Sequence, residues 1–336
     1  MSDSLKIITM QDIAAEEIQW LWNPYIPFGK ITIIQGDGGD GKTTFILAIA
    51  AAISKGILLP ESKEIITPSN IIYQTAEDGL ADTIKPRLIS LDADCSRVLV
   101  IDESDKGLTL SDTRIEQAIQ HTGAKLFVLD PLQAYLGADV DMHRANEVRP
   151  VFKQLGAVAE RTGCAVVIVG HLNKGGNKSQ YRGLGSVDIF AAARSVLTLG
   201  RIKDKPTYRA FAHGKSNLAP EGSSIAFELN PETGFQWIGA YPITIEELLS
   251  GSVSASGGSI LNRAVTFLES EIINKAVPAN ELYKKAEEQD ISARTLRNAK
   301  SSLNARSFKQ ENKWFWTLTP KEKKEEGKIE GGKVAG

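Results

Sequence analysis

Short apolar runs punctuate the chain from about residue 30 to residue 240: Ile31–Ile34, Asn70–Tyr73, Val98–Ile101, Leu126–Leu129, Val166–Val169 and Val196–Leu199. Each is β-branched and nearly continuous in hydrophobicity, the pattern of a strand buried on both faces of a parallel sheet. Helical periodicity fills several of the gaps, over Thr43–Ala52, Thr113–Gln120 and Val148–Arg161. This alternation predicts an α/β fold, a mostly parallel sheet with helices on both faces.

Near residue 250 the pattern breaks. The stretch SGSVSASGGS is small, polar and rich in glycine and serine, which predicts a flexible linker over 250–259. It separates a domain spanning 1–249 from a smaller one at 260–320. The remaining tail, 321–336, lacks apolar residues with which to pack and is expected to be disordered.

Composition narrows the class. The 336 residues carry 42% hydrophobic and 24% charged side chains and a formal net charge of −2. That balance supports a packed core and excludes a uniformly basic nucleic-acid coat, so any DNA contact must come from local patches. Cys95 and Cys164 stand far apart with no metal-ligand spacing. The N-terminus has no signal-peptide core and no run reaches the ~20 apolar residues of a membrane span, so a cytoplasmic protein with no membrane contact is expected.

The sharpest chemical signal is Gly36-Asp37-Gly38-Gly39-Asp40-Gly41-Lys42-Thr43, which matches G-x-x-x-x-G-K-[ST] between a predicted strand and a predicted helix. Glycines let backbone N–H groups turn inward around phosphates, and the helix N-terminus adds a favourable dipole. Gly36, Gly38, Gly39, Gly41, Lys42, Thr43 and Thr44 are therefore the expected ATP cradle. Lys42 reaches the β- and γ-phosphates, and the Thr43 hydroxyl ligates Mg²⁺. The strand KLFVLD ends in Asp130, whose carboxylate suits the other side of the Mg²⁺ shell. Glu77, in YQTAEDG just beyond the second strand, is the expected base for the attacking water, with Asp78 as its neighbour. His171, closing CAVVIVGH, is placed to sense the γ-phosphate.

With these residues in place, the chain resembles the RecA-like core of hexameric replicative helicases. The likeness is nearest to the plasmid RepA type and its prophage ATPase relatives, with DnaB and RadA more distant. GDGGDGKTT, YQTAEDG, VLDPLQAYLG, GHLNKGG, YRGLGSVDIFAAARSVL and GKSN carry it, over roughly residues 20 to 220. The resemblance implies a homo-oligomer, a hexameric ring with ATP between neighbours. Arg194 is then a finger toward the next subunit's γ-phosphate, with Lys215 helping from the same side. DnaB-like relatives often have Lys-Asn-Arg where this chain has Lys215-Ser216-Asn217. The resemblance also places single-stranded DNA against the loops Gly137–Arg149 and Lys174–Gly185. In the second loop Lys174, Lys178 and Arg182 offer phosphate contacts and Tyr181 a stacking face.

Beyond the linker, LNRAVTFLESEIINKA, VPANELYKKAEEQ and SARTLRNAKSSLNA read as three amphipathic helices. SFKQENKWFWTL then reads as a hairpin, an order that resembles a winged helix-turn-helix. Between Ser292 and Trp316 six cations face one acid, Glu311. Arg294, Arg297 and Lys300 on the third helix are the expected duplex-DNA contacts. At least two of Trp314, Phe315 and Trp316 are expected in the small core, and Trp20 and Trp22 in the core or at a subunit contact. The leading expectation is an ATP-dependent DNA helicase or translocase of a plasmid or prophage replication system. Such a motor works with a primase, an initiator or a single-strand-binding protein. Two other readings stay open: a RecA/RadA-like recombination ATPase, and a DNA-binding regulator switched by ATP.

Overall fold

The computed structural model describes residues 7–63, 66–137, 140–142, 144–172, 187–250, 260–273, 275–289, 291–303, 305–310 and 313–318. The chain divides into two compact units, Met1–Ala255 and Ser256–Gly336. The cut falls inside the stretch expected as a linker; Ser250 itself closes a helix, and 251–259 lie outside the described residues, as does the tail from 319 onward.

The strands of the first unit are β1 (Trp20–Trp22), β2 (Ile26–Pro27), β3 (Ile31–Gly36), β4 (Ile71–Thr75), β5 (Val98–Leu99), β6 (Leu126–Asp130), β7 (Ala165–His171), β8 (Ser195–Arg201), β9 (Tyr208–Ser216), β10 (Ile225–Asn230) and β11 (Gly234–Ala240). Its helices are α1 (Lys42–Lys55), α2 (Lys85–Ser90), α3 (Thr113–Thr122), α4 (Leu132–Tyr135), α5 (Ala145–Thr162), α6 (Val187–Ala192) and α7 (Ile245–Ser250). Among the described residues, β3 to β11 form one nine-stranded sheet in the order β11-β10-β9-β8-β3-β7-β6-β4-β5. From β8 to β5 every pairing is parallel. From β8 to β11 every pairing is antiparallel. This antiparallel flank was not predicted. Its outermost strand, GFQWIGA, alternates between exposed and half-buried positions and lacks the continuous hydrophobicity of a central strand. β5 also stops at Leu99, two residues short of the predicted run.

The period of two along each strand sorts side chains between two cores. Ile34, Tyr73, Val128 and Val167 pack with Phe45 and Ile49 of α1 on one face. Ile33, Ile72, Phe127 and Ile168 pack with Phe152 and Leu155 of α5 on the other. Helix α1 is apolar all round from Phe45 to Ile53 because the sheet, β10 and β11 surround it. It ends at Gly56 in the left-handed conformation. Trp22 is fully buried and its Nε1 donates to the Pro60 carbonyl at 2.8 Å. Trp20 is half-buried. Among the described residues no helix is long and apolar enough to cross a membrane.

The second unit contains α8 (Ile260–Ile272), β12 (Val277–Pro278), α9 (Ala279–Glu287), α10 (Ala293–Ser302), β13 (Arg306–Gln310) and β14 (Lys313–Thr317). The residues Val277-Pro278, expected to open the second helix, instead form a short strand against β14. Proline at 278 has no N–H to donate and sits just ahead of the helix, where that donor is unneeded. The core gathers Leu268, Ile272, Leu282, Leu296 and Trp316. Of the three hairpin aromatics only Trp316 is buried; Phe315 is partly covered and Trp314 is 56% exposed, so the expectation of two core aromatics is corrected. The hairpin outruns the small core, which reaches only its end nearest Trp316.

Candidate nucleotide site

Parallel register brings the C-terminal ends of β3, β4, β6, β7 and β8 to one edge of the sheet, the edge where α/β folds bind ligands. There Gly36 lies beside His171 and Thr75 beside Asp130. The loop from Gly36 to Lys42 turns over this edge into α1. Gly39 and Gly41 have φ of 79° and 87°, and a Cβ at Gly41 would run into Leu229 of β10, so both positions require glycine.

Lys42 is 5% exposed, and its ammonium donates to the carbonyls of Gly36 at 2.9 Å and Asp37 at 2.8 Å. Burial lowers its pKa; Asp40, Asp130, Asp37 and Glu77 pull it back up. The Thr43 hydroxyl donates to Asp130 Oδ2 at 2.8 Å, and the Tyr73 hydroxyl donates to the same oxygen at 2.8 Å. Burial raises the Asp130 pKa, opposed by those two hydrogen bonds and by Lys42. A hydroxyl and a carboxylate in contact are hard oxygen donors of the kind Mg²⁺ takes when it is held mainly by nucleotide phosphates. Thr43 and Asp130 therefore fit an Mg²⁺ ion, which when bound neutralises phosphate charge.

Glu77 lies beyond the end of β4, with Oε2 3.9 Å from His171 Nε2. Both side chains are well exposed. Asp78 is tied instead to Arg87 by an ion pair at 2.8 Å, and its own N–H donates to Thr75 Oγ1 at 3.3 Å. Of the two neighbouring carboxylates, Glu77 is thus the one beside His171 and the loop.

Arg194 and Lys215 lie elsewhere. Arg194 immediately precedes β8, and its N–H donates to the Ile31 carbonyl at the start of β3. Lys215 pairs with Val196 at the same edge, and its ammonium donates to the carbonyls of Phe190 at 2.8 Å and Ala191 at 3.0 Å in α6. Five strand steps of about 3.3 Å put this edge roughly 17 Å from the phosphate loop of the same chain. A cavity of about 570 Å³ there is lined by Lys30, Arg149, Lys153 and Arg194 as well as Glu160 and Asp188. Lys174, Lys178, Tyr181 and Arg182 lie outside the described residues. Arg294, Arg297 and Lys300 all fall on α10. The Lys300 ammonium sits 4.7 Å from the Trp316 ring centre and donates to Ser307 Oγ at 3.0 Å, which ties it to the hairpin.

Three residues at the loop were not anticipated. Tyr73 looked like one more apolar strand position. Asp40 is 7% exposed and caps the loop by accepting from the Asp37 N–H at 2.9 Å. Arg201 closes β8 at the same sheet edge and donates to the Gly39 carbonyl at 2.8 Å. A charged residue ending a parallel strand was the signal that could have found it.

Comparison with known proteins agrees with this site. A family model described as "AAA domain" matches residues 5–177, just over half of the chain. "DNA repair protein RadA" of Bacillus subtilis (strain 168) is 24% identical over 234 residues, covering 68% of this chain and 45% of the relative. The protein of the same name from Halalkalibacterium halodurans is 25% identical over 167 residues, 49% of this chain and 33% of the relative. The chain thus spans less than half the length of both. Among solved structures, the ATPase domain of a helicase is similar over 62% of this chain and 84% of that one, with 15% identity and a TM-score of 0.48.

Proposed function

Taking as premise that this chain belongs to the AAA domain family and is a RecA-like ATPase, we propose that it is a ring-forming DNA helicase or translocase that cleaves ATP between neighbouring copies. The carrying observation is the separation of Arg194 and Lys215 from their own phosphate loop by the length of the parallel strands. Cations so placed cannot reach the nucleotide of their own chain. They suit a nucleotide held by an adjacent one, where charge supplied in trans makes hydrolysis depend on assembly. The exposure of Glu77 and His171 supports the same reading, since a second copy would enclose them and exclude water.

In this mechanism the loop amides and Lys42 hold the triphosphate, and Thr43 with Asp130 hold Mg²⁺. Glu77 takes the proton of the attacking water. His171, at the register position of Gly36, reports loss of the γ-phosphate to the loop that follows it, where Lys174, Lys178, Tyr181 and Arg182 contact single-stranded DNA. The second unit, with its helix–strand–helix–helix–strand–strand order, acts as a winged helix on duplex DNA through Arg294, Arg297 and Lys300. A plasmid or prophage replication system in the cytoplasm is the setting, with a primase, initiator or single-strand-binding protein as partner.

ATP turnover with and without single-stranded DNA, alongside mass in solution, tests the proposal. DNA-stimulated turnover by closed six-subunit rings that separate a forked duplex supports it. A monomer turning over ATP at full speed, indifferent to DNA, overturns it. The RadA relatives favour a second reading, a recombination ATPase, for which open filaments and joint molecules are expected. An ATP-switched regulator would footprint duplex DNA without hydrolysis or unwinding.

A further inference from the structure

The hairpin β13–β14 carries aromatic surface that the core beneath it does not use. Directly paired residues of an antiparallel ladder share a face. Ser307 pairs with Trp316, whose buried ring meets Tyr283 edge-on at 5.5 Å, so that pair marks the inward face. The next pair, Phe308 with Phe315, turns outward. Their rings stack at 5.7 Å with planes 16° apart, and Phe308 is 40% exposed. Two residues along that outward face stand Arg306 at one end and Lys313 at the other, both exposed. Trp314 and Lys309, paired with each other, are exposed on the opposite face. Among the described residues the two strands hold three cations and no carboxylate.

We propose that this outward face binds an unpaired polynucleotide strand. Bases stack on the Phe308–Phe315 pair, and Arg306 and Lys313 take the flanking phosphates. An aromatic stack with a cation at each end matches the chemistry of such a strand, in which base faces and charges alternate. Paired bases fit poorly because their faces are already covered by neighbours in the duplex. An apolar protein partner would leave the three cations without carboxylates of this hairpin to answer them. The proposal rests on the reading that the chain acts on nucleic acid, and it adds a single-strand contact distinct from the duplex contacts proposed for α10.

The experiment uses the full-length protein without nucleotide, with labelled oligodeoxythymidine, oligouridine and a blunt DNA duplex followed by anisotropy. Phe308→Leu keeps an apolar side chain at an exposed position but removes the ring, whereas Phe308→Tyr keeps it. Phe308→Leu is expected to weaken the unpaired strands by roughly ten-fold, the scale of one lost stacking contact, and to spare the duplex. Phe308→Tyr should stay within about two-fold of the unaltered protein. Arg306→Ala should flatten the salt dependence by about one phosphate contact. Ultraviolet crosslinks to oligodeoxythymidine should map to the segment holding Phe308 or Phe315. Equal binding by Phe308→Leu, with crosslinks confined to residues before 256, would overturn the proposal and leave the face as an apolar protein contact. Failure of every strand to bind would overturn the wider DNA reading as well, which separates the two failures.

Discussion

Thr43 donates its hydroxyl hydrogen to Asp130 at 2.8 Å, joining two motifs that lie 87 residues apart. The contact exists because β3 and β6 flank β7 in one parallel sheet and end at the same edge. Thr43→Val preserves shape and removes the hydroxyl, and Lys42→Ala removes the ammonium held over the loop. Each is expected to lower ATP turnover by on the order of 100-fold or more, the scale of losing one preorganised electrostatic contact. Phosphate release measured on protein of unchanged circular dichroism checks this. Turnover within a few-fold of the unaltered protein would exclude the assigned roles.

Glu77 stands beside His171 with no other carboxylate in the same position, since Asp78 is engaged by Arg87. Glu77→Gln should keep ATP binding and lose turnover by about 10²- to 10⁴-fold, the usual contribution of a general base. Equilibrium binding of a fluorescent ATP analogue together with single-turnover hydrolysis separates the two effects. Normal hydrolysis in this variant would move the base elsewhere.

Arg194→Ala alone should be nearly inactive, a loss of roughly 10³-fold or more for a finger supplied in trans. Mixed with Glu77→Gln, it should regain activity, because some interfaces then combine an intact Glu77 from one copy with an intact Arg194 from the next. Turnover that stays at the sum of the separate proteins would argue against a shared site.

Much of this site was legible in the chain before folding. The run GDGGDGKTT fixed the phosphate loop because glycine spacing, a preceding apolar strand and a following apolar helix constrain one another. Asp130 and His171 were found by a simpler rule, that polar residues closing buried strands converge at one sheet edge. Arg201 obeys the same rule and escaped only because nothing in its sequence ties it to the loop it contacts. Tyr73 was hidden differently: an aromatic ring satisfies the strand pattern, and its hydroxyl acquires a role only when β6 brings Asp130 alongside. The antiparallel flank was missed because alternation on a half-covered sheet gives a weaker signal than a continuous apolar run.

Arg201 offers a check on the part found only in three dimensions. It donates to the Gly39 carbonyl at 2.8 Å and pairs at 3.4 Å with Asp40, which caps the loop. The side chain is more than half exposed, so the ion pair itself contributes little and the effect should come through loop geometry. Arg201→Ala is expected to raise KM for ATP by about three- to ten-fold with a smaller change in kcat, the scale of one charge-assisted hydrogen bond. A collapse of kcat at unchanged KM would instead make Arg201 part of the chemistry.

The last expectation concerns stability rather than turnover. His213 is 4% exposed; its Nδ1 accepts from the Gly222 N–H at 3.1 Å, which leaves Nε2–H to donate to Ser195 Oγ at 3.0 Å. Ser195 in turn donates to the Tyr25 carbonyl at 2.6 Å, so the neutral ring is locked into a network with no place for a second proton. Burial lowers its pKa from 6.5 to about 4, against a backbone hydrogen bond at Lys215 that raises it. The unfolded chain therefore binds a proton that the folded chain refuses. The stabilisation is whole above about pH 6.5 and drains away as the pH falls toward 4, reaching about 3 kcal/mol. His213→Gln should be less stable at neutral pH and should flatten the urea midpoint across that window. An unchanged acid slope in the variant would place the loss on other groups.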